Sequence, residues 1–207
     1  MTYLANFKSN PESYIKEIDF IVDSRKSFKS TSLPNVERCE YGEPCSLTEQ
    51  NTAADNVIKL EVSNGGNDYY FPWVNRGIGE VKVPKMASEG TIVTTGGMNG
   101  CSLVVTELDN HYIFYHDADS KYLGKLKPAE GKEVCRIGPE DYSPLDIGNK
   151  LVLESPKEGL AYLHQIIIIK HGGKWKVFSS AILIGPGIDM PVKKAFNATI
   201  TKLMGTF

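Results

Sequence analysis

The sequence lacks the features that define several large classes of protein. Its 207 residues include four cysteines and four histidines, too few for a small disulfide-stapled scaffold or for many metal sites. Lysine and arginine total 23 against 25 aspartates and glutamates, so the net charge of -2 gives no basic excess of the kind that general nucleic-acid binders carry. No apolar run is long enough to span a membrane, and the first residues lack the basic region and apolar run of a secretory signal. We therefore expect a soluble protein with no membrane span and no direct nucleic-acid partner.

The composition that remains is typical of a folded domain. Hydrophobic residues make up 41% of the chain, charged residues 23% and aromatic residues 10%. These values are far from the low-hydrophobicity, high-charge composition of disordered chains. A chain of this length usually forms one domain with a sizeable core. We expect residues 1–207 to be that single domain.

Outside its centre the chain is predicted to alternate helices with irregular segments. An asparagine-proline cap followed by apolar residues at helical spacing predicts a short helix over about 11–24. Residues 26–56 show little periodicity and predict a long loop. The proline-containing stretch 125–151 is expected to run irregularly over the surface, before a brief helix over 155–162. An apolar stripe at helical spacing predicts a terminal helix over 189–204.

The centre of the chain has the pattern of a β-sheet. Short β-branched and aromatic runs are separated by Gly, Asn, Asp and Pro. Residues 165–170 and 175–184, joined by a Gly-Gly turn, predict a hairpin, and the four isoleucines at 166–169 predict burial on both faces. The fold class we predict is α+β, a mostly antiparallel β-sheet or β-sandwich flanked by helices. The remaining predicted strands are 57–62, 69–74, 78–83, 91–95, 102–108 and 111–116.

The densest chemical signal is a glycine-rich turn that ends in a cysteine. Gly96, Gly97 and Gly100 precede Cys101 and let the backbone turn sharply and approach a ligand closely. Backbone N–H groups freed by such a turn can point at one place, as an oxyanion hole requires. Cys101 is therefore the candidate nucleophile.

The strand pairing decides which histidine could serve this cysteine. If Asp109 and Asn110 form a two-residue hairpin turn, His116 lies opposite Leu103 on the neighbouring strand. Side chains alternate between faces, so Cys101 and His116 then share a face and lie about 7 Å or less apart at their side-chain origins. A three-residue turn would instead place His116 on the opposite face.

A thiol needs help to act as a nucleophile at neutral pH. A nearby imidazolium lowers the pKa of the thiol, and the imidazole later transfers protons, so this pair suits acyl chemistry on an amide. A third group usually orients the imidazole, and the candidates are the hydroxyl of Thr95, that of Thr94, or a backbone carbonyl such as that of Val74. On the pattern alone, a cysteine beside a glycine turn is more often a small buried side chain than a catalytic residue, and the same holds for Cys101.

These residues also resemble a known family. Met98-Asn99-Gly100-Cys101, followed by a hairpin whose second strand ends in Tyr-His116, is similar to the Leu-Ser-Gly-Cys motif and histidine of the bacterial toxin glutamine deamidases. That family includes the cytotoxic necrotizing factor catalytic domain and Burkholderia lethal factor 1. Thr95 matches by spacing a threonine that precedes the cysteine in the Burkholderia toxin.

The resemblance implies a catalytic domain with a cysteine-hydrolase fold of the cytotoxic necrotizing factor type. It implies deamidation of a protein glutamine by Cys101 and His116, with Thr95 as third group and the oxyanion held around Asn99 and Gly100. It requires no metal or organic cofactor. Its family targets include Rho-type GTPases and the host translation-initiation RNA helicase. A toxin or effector of this kind would act as a monomer and would be secreted or delivered into the host cytosol by outside machinery.

A different class of function fits the same sequence. The chain would then be a non-catalytic protein-binding or immunity-type module, and Cys101 would serve only in packing. Within the enzyme class, transglutamination or amide proteolysis would use the same pair of residues.

Overall fold

The computed structural model describes residues 2–24, 36–52, 56–142, 161–184, 191–194 and 202–207. In these ranges short helices are few and strands dominate. In chain order the elements are α1 (Tyr3–Ser9), α2 (Pro11–Tyr14), β1 (Asp19–Asp23), β2 (Arg38–Tyr41), β3 (Glu43–Asn51), β4 (Val57–Asn64), β5 (Asp68–Phe71), β6 (Gly77–Pro84), β7 (Ile92–Thr95), β8 (Ser102–Glu107), β9 (His111–Asp117), a 3-10 turn (Ala118–Ser120), β10 (Lys132–Ile137), α3 (Pro139–Tyr142), β11 (Ala161–His171), β12 (Lys174–Ile184), β13 (Pro191–Lys194) and β14 (Lys202–Thr206).

The described strands form two mixed sheets. The larger has the order β1-β4-β3-β5-β7-β11-β12-β13, with β14 also paired to β12, and the smaller has the order β10-β8-β9-β6-β2. The pairs β1–β4, β2–β6 and β5–β7 are parallel, and the other pairs are antiparallel. The α+β class is compatible with this architecture, but the helices within the described ranges are too few and short to flank the sheets as we expected.

One of the two large core clusters lies where the two sheets face each other. Apolar side chains of β6, β8 and β9 pack there against those of β7, β11 and β12. The isoleucine run of β11 contributes to both faces of its sheet, as predicted: Ile166 and Ile168 join this central cluster, while Ile167 and Ile169 pack on the other side with α1. A sheet covered on both faces accommodates four consecutive apolar residues because alternate side chains point in opposite directions.

The predicted helix over 11–24 is wrong in its second half. Only Pro11–Tyr14 is helical, and Asp19–Asp23 forms β1, which runs parallel to β4 with every residue buried. The segment Phe20-Ile21-Val22 combines an aromatic with β-branched residues, and burial on both faces outweighs the helical spacing. The structure instead has an unpredicted helix at Tyr3–Ser9, where the hydroxyl of Thr2 accepts a hydrogen bond from Ala5.

Three further predictions needed correction. The predicted loop at 26–56 contains β2 and β3, and the stretch at 125–151 contains β10 and α3. The predicted terminal helix is also wrong where the chain is described, since β13 and β14 pair with β12 and satisfy the backbone groups of its edge. The helix predicted over 155–162 lies outside the described residues except for its last two, which begin β11.

The central strands and the predicted hairpin are confirmed. Strands β4 to β9 overlap the six predicted segments, and β11 and β12 pair throughout their length, from Ala161–Ile184 to His171–Lys174. All four cysteines have free thiols. None of the helices in the described ranges has the length and apolar character needed to cross a membrane.

Candidate active site

The β8–β9 hairpin has the register that the sequence predicted. Leu103 pairs with His116, and the backbone N–H of Leu108 donates to the carbonyl of His111 across the two-residue turn. Cys101 directly precedes β8, and it packs with Leu103 in the cluster between the sheets. The hairpin therefore brings the cysteine and the histidine into the same region of the core.

His116 is completely buried and has a partner on only one of its ring nitrogens. Its Nδ1 lies 2.8 Å from the hydroxyl of Thr95, while its Nε2 is buried with no hydrogen-bond partner. The ring also makes an edge contact with Phe71, with centroids 6.5 Å apart. Burial lowers the pKa of His116 to about 3, so the imidazole is neutral in the folded chain at physiological pH.

Thr95 is the only one of the three proposed orienting groups that contacts the imidazole. The hydroxyl of Thr94 instead donates to the carbonyl of Ile166, at 2.9 Å. The carbonyl of Val74 accepts a hydrogen bond from the backbone of Gly77. Thr95 lies at the end of β7 in the larger sheet, so its hydrogen bond with His116 joins the two sheets.

Gln165 is a buried polar residue of the site that the sequence analysis missed. Its side-chain amide donates to the carbonyl of Thr95 at 2.6 Å, and its Oε1 accepts from the backbone N–H of Val22 at 3.2 Å. The side chain has no solvent exposure. Gln165 therefore holds the backbone of Thr95, whose hydroxyl contacts His116. The sequence did contain a signal for this residue. A glutamine at the start of a strand predicted to be buried needs several hydrogen-bond partners in the core.

The Cys101 thiol is nearly buried, with the residue 3% exposed. It donates to the carbonyl of Asn99 at 4.0 Å, a long contact. Burial raises the pKa of the thiol. No hydrogen bond joins Cys101 to His116 among the described residues. Cys101 packs in the cluster of Leu103, which is the cross-strand partner of His116.

The proposed oxyanion residues occupy the turn before the cysteine. Gly100 has a φ of +84°, in the left-handed region that favours glycine, and its carbonyl accepts from the hydroxyl of Ser120 at 3.1 Å. The carbonyl of Asn99 is the acceptor for the thiol. The turn is therefore adjacent to the sulfur, and its role as an oxyanion hole stays a prediction.

A second buried histidine lies beside the same turn and was not predicted. His164 exchanges backbone hydrogen bonds with Met98, and its Nδ1 has no partner. Its ring packs on that of Tyr142, whose hydroxyl donates to the carbonyl of Cys101 at 2.9 Å. Burial lowers the pKa of His164 to about 4. Long-range pairing of β11 brings His164 here, so no local pattern in the sequence would have revealed it.

Within the described ranges, no cluster of three or more His, Cys, Asp or Glu side chains is arranged to hold a metal ion.

Comparisons with known proteins give a match to one family model and matches to solved structures. Residues 78–122 match the family model of the Mcf1 activator-binding domain, which covers less than half of the chain. Among solved structures, the chain is similar to the C-terminal domain of CNFy from Yersinia pseudotuberculosis, with a TM-score of 0.30 and 11% sequence identity; the match covers 68% of this chain and 61% of that chain. A TM-score this low does not establish the cysteine-hydrolase fold that the motif implied. No match was found among curated protein sequences. Neither match identifies a specific deamidase.

Proposed function

We propose that this chain is a cysteine-dependent protein glutamine deamidase that uses Cys101 and His116. One observation carries the proposal. His116 is fully buried, its Nδ1 is bonded to Thr95 and its Nε2 has no partner. Across the hairpin it pairs with Leu103, which packs in one cluster with Cys101. An unpartnered buried nitrogen costs about 1–3 kcal/mol, so its presence calls for an explanation. A role as general base provides that explanation, because the thiol and the substrate would then supply the missing partner of Nε2.

The contact with Thr95 is compatible with the tautomer of the imidazole that a general base requires. If Nδ1 carries the proton and donates to the Thr95 hydroxyl, the lone pair of Nε2 is free to accept a proton. The absence of a direct bond between thiol and imidazole is compatible with this role. Catalytic hydrogen bonds are often long or misaligned before substrate binds.

The proposed reaction has two halves. The thiol proton of Cys101 moves to Nε2 of His116, and the sulfur attacks the carboxamide carbon of a glutamine. Backbone N–H groups around Asn99 and Gly100 stabilise the oxyanion, His116 returns the proton to the nitrogen, and the C–N bond breaks to release ammonia. Water, activated by His116, then attacks the thioester, which yields glutamate and regenerates the thiol.

Family resemblance supports the choice of substrate. On that basis we propose residues 1–207 as a single catalytic domain of a toxin or effector, monomeric and independent of cofactors. A host protein would be its substrate, with a Rho-type GTPase and the translation-initiation RNA helicase as the first two candidates.

Intact-protein and peptide mass spectrometry of those two candidates, after incubation with the chain, tests the proposal. Deamidation adds about 1 Da at one glutamine and releases one ammonia without incorporating an added amine. Cys101→Ala should abolish both signals. Cys135→Ala is the matched control, since that thiol is half-buried and its pKa is raised to about 11. Retained turnover in the Cys101 variant would refute the proposed mechanism.

The second candidate is a protein-binding module, which the match of residues 78–122 to an activator-binding domain favours. The rate of iodoacetamide labelling at about pH 6.5 separates the two. A catalytic Cys101 should react with iodoacetamide much faster than Cys135. Equal and slow labelling of the two cysteines would favour the protein-binding module.

A further inference from the structure

A surface cleft opens where β2 leaves the smaller sheet. β2 runs beside β6 as far as the pair Tyr41–Glu80, and the chain then crosses at Gly42 to the larger sheet, where β3 pairs with β5. The crossing is close-packed, because a Cβ atom at Gly42 would lie 2.0 Å from the carbonyl oxygen of Tyr70. Beside it lies a cleft of about 310 Å³, whose lining includes Tyr41, Glu43, Pro44, Tyr69, Lys82 and Pro84.

One strand edge in this cleft has no neighbouring strand. Beyond Glu80, β6 keeps its pairing with β9, but no strand in the described ranges pairs with its other edge. On that edge the carbonyl of Glu80 accepts a hydrogen bond from the N–H of Gly42. Backbone groups alternate between the two edges of a strand, so the N–H and C=O of Lys82 face the cleft as well. An open edge of this kind can pair with an extended peptide.

The open edge is short, so side chains must supply most of the affinity for a peptide. β6 ends at Pro84, which has no N–H and whose carbonyl accepts from the N–H of Ala87. A bound segment would therefore exchange backbone hydrogen bonds with Lys82 alone. Two aromatic residues line the same cleft: Tyr41, which is 71% exposed, and Tyr69, which is half-buried.

The cleft also carries one carboxylate without a counter-charge. Lys127 lies 2.8 Å from the carboxylate of Glu80, and Glu130 lies 3.3 Å from the ammonium group of Lys82, so these charges are compensated within the chain. Glu43 is exposed, and its carboxylate forms no ion pair or hydrogen bond with the part of the chain that the structure describes. A carboxylate beside aromatic side chains suits a lysine or arginine side chain, which can form an ion pair and a cation–π contact there.

We propose that this cleft binds an extended segment of a partner protein that carries a lysine or an arginine. The backbone of the segment pairs with Lys82. Its cationic side chain lies against Tyr41 and Tyr69, and its charge is paired with that of Glu43.

This peptide site is separate from the candidate active site and goes beyond the proposed deamidation. Pro84, in the cleft, pairs with His111, whereas His116 pairs with Gly79 near the other end of β6. The two histidines are five strand positions apart, which is about 17 Å. A chain that deamidates no glutamine would still bind the peptide.

Two pools of capped pentapeptides provide the probe. The central residue is lysine or arginine in the basic pool and glutamate in the acidic pool, and the other positions are valine, threonine or tyrosine in both. Each pool is titrated into the full ¹⁵N-labelled chain and followed by amide NMR. We expect the basic pool to shift the backbone amide resonance of Lys82, with half-saturation below about 1 mM, and the acidic pool to bind at least about tenfold more weakly.

Substitutions at the cleft identify the contacts. Glu43→Gln and Tyr41→Ala should each weaken binding of the basic pool about three- to tenfold, because each removes one interaction with the cation. Glu133→Gln is the matched control and should leave binding unchanged, since Glu133 is an exposed glutamate on β10, at the far edge of the same sheet. A basic pool that is N-methylated at every peptide bond should bind much more weakly, because it has no backbone donors for Lys82.

The same titrations can overturn the proposal. An unmoved Lys82 resonance at about 1 mM basic pool would do so, and so would equal binding of the two pools or unchanged affinity in both cleft variants. Equal binding of free lysine would make the cleft a site for small organic cations instead. A shift of the Lys82 resonance when the chain alone is concentrated would identify a second copy as the occupant.

Discussion

Replacing Thr95 with valine removes one hydroxyl and puts a methyl group of nearly the same size in its place. Thr95 and His116 both have no solvent exposure, so water cannot substitute for the lost partner. In Thr95→Val, the Nδ1 of His116 would join Nε2 as a buried nitrogen without a hydrogen bond. The perturbation is therefore confined to one polar contact between the sheets.

The expected cost follows from that loss. Leaving a buried polar group unsatisfied costs about 1–3 kcal/mol, and in a domain of this size each kcal/mol lowers the melting temperature by about 2–4 °C. A cost of about 2 kcal/mol would lower it by about 4–8 °C. Packing changes should contribute little, because the two side chains have similar volumes.

A double-mutant cycle in urea isolates the contact from other effects of each substitution. The cycle compares Thr95→Val, His116→Leu and the double variant. We expect a coupling free energy of at least about 1 kcal/mol, since Thr95→Val has nothing to disrupt once the imidazole is gone. Strictly additive free energies of unfolding, within about 0.3 kcal/mol, would refute the claim that this hydrogen bond links the sheets.

Two further predictions concern buried charge. Burial lowers the pKa of His116 to about 3 and that of His164 to about 4, so between pH 6.5 and 4 the unfolded chain binds protons that the folded chain does not. The free energy of unfolding should therefore fall on acidification by up to about 1.4 kcal/mol per pH unit per histidine. A free energy of unfolding that does not change with pH in urea titrations would contradict this. Lys127 lies 2.8 Å from the carboxylate of Glu80, which is 1% exposed. Lys127→Met should destabilise the chain by about 2–3 kcal/mol, which is at or below the low end for a fully buried pair because the lysine is partly exposed. Adding Glu80→Gln should restore most of the lost free energy of unfolding in chemical denaturation. If the double variant recovers no stability, the ion pair is not the cause of the loss.

The parts of the site that the sequence predicted depend on short-range structure. The Asp109-Asn110 turn fixes the pairing of Leu103 with His116 within one hairpin, so counting residues from the turn gives the register. The glycines before Cys101 likewise predict a turn from their own backbone preferences. Thr95 was one of three candidates, and only the packing of one sheet on the other shows which of them contacts the imidazole.

The parts that the sequence did not predict depend on distant pairing. Residues Asp19–Asp23 have helical spacing, yet they become a strand because β4 is available beside them. Gln165 reaches Thr95 and Val22, which are 70 and 143 positions away in the chain. Asp119 and Ser120 both adopt the left-handed conformation without a glycine, so the residue types alone did not predict their backbone conformation.

The closed arrangement of the site has an energetic consequence for substrate binding. Cys101 is 3% exposed and His116 is fully buried, so a glutamine side chain must displace part of the covering structure to reach the sulfur. That displacement costs free energy, but the free chain already carries the cost of an unpartnered Nε2 on His116. A substrate or thiol hydrogen that bonds to Nε2 recovers this cost only in the complex. On the proposed function, the unsatisfied nitrogen therefore lowers the stability of the resting state and favours the bound one, which a site used only for packing would have no reason to retain.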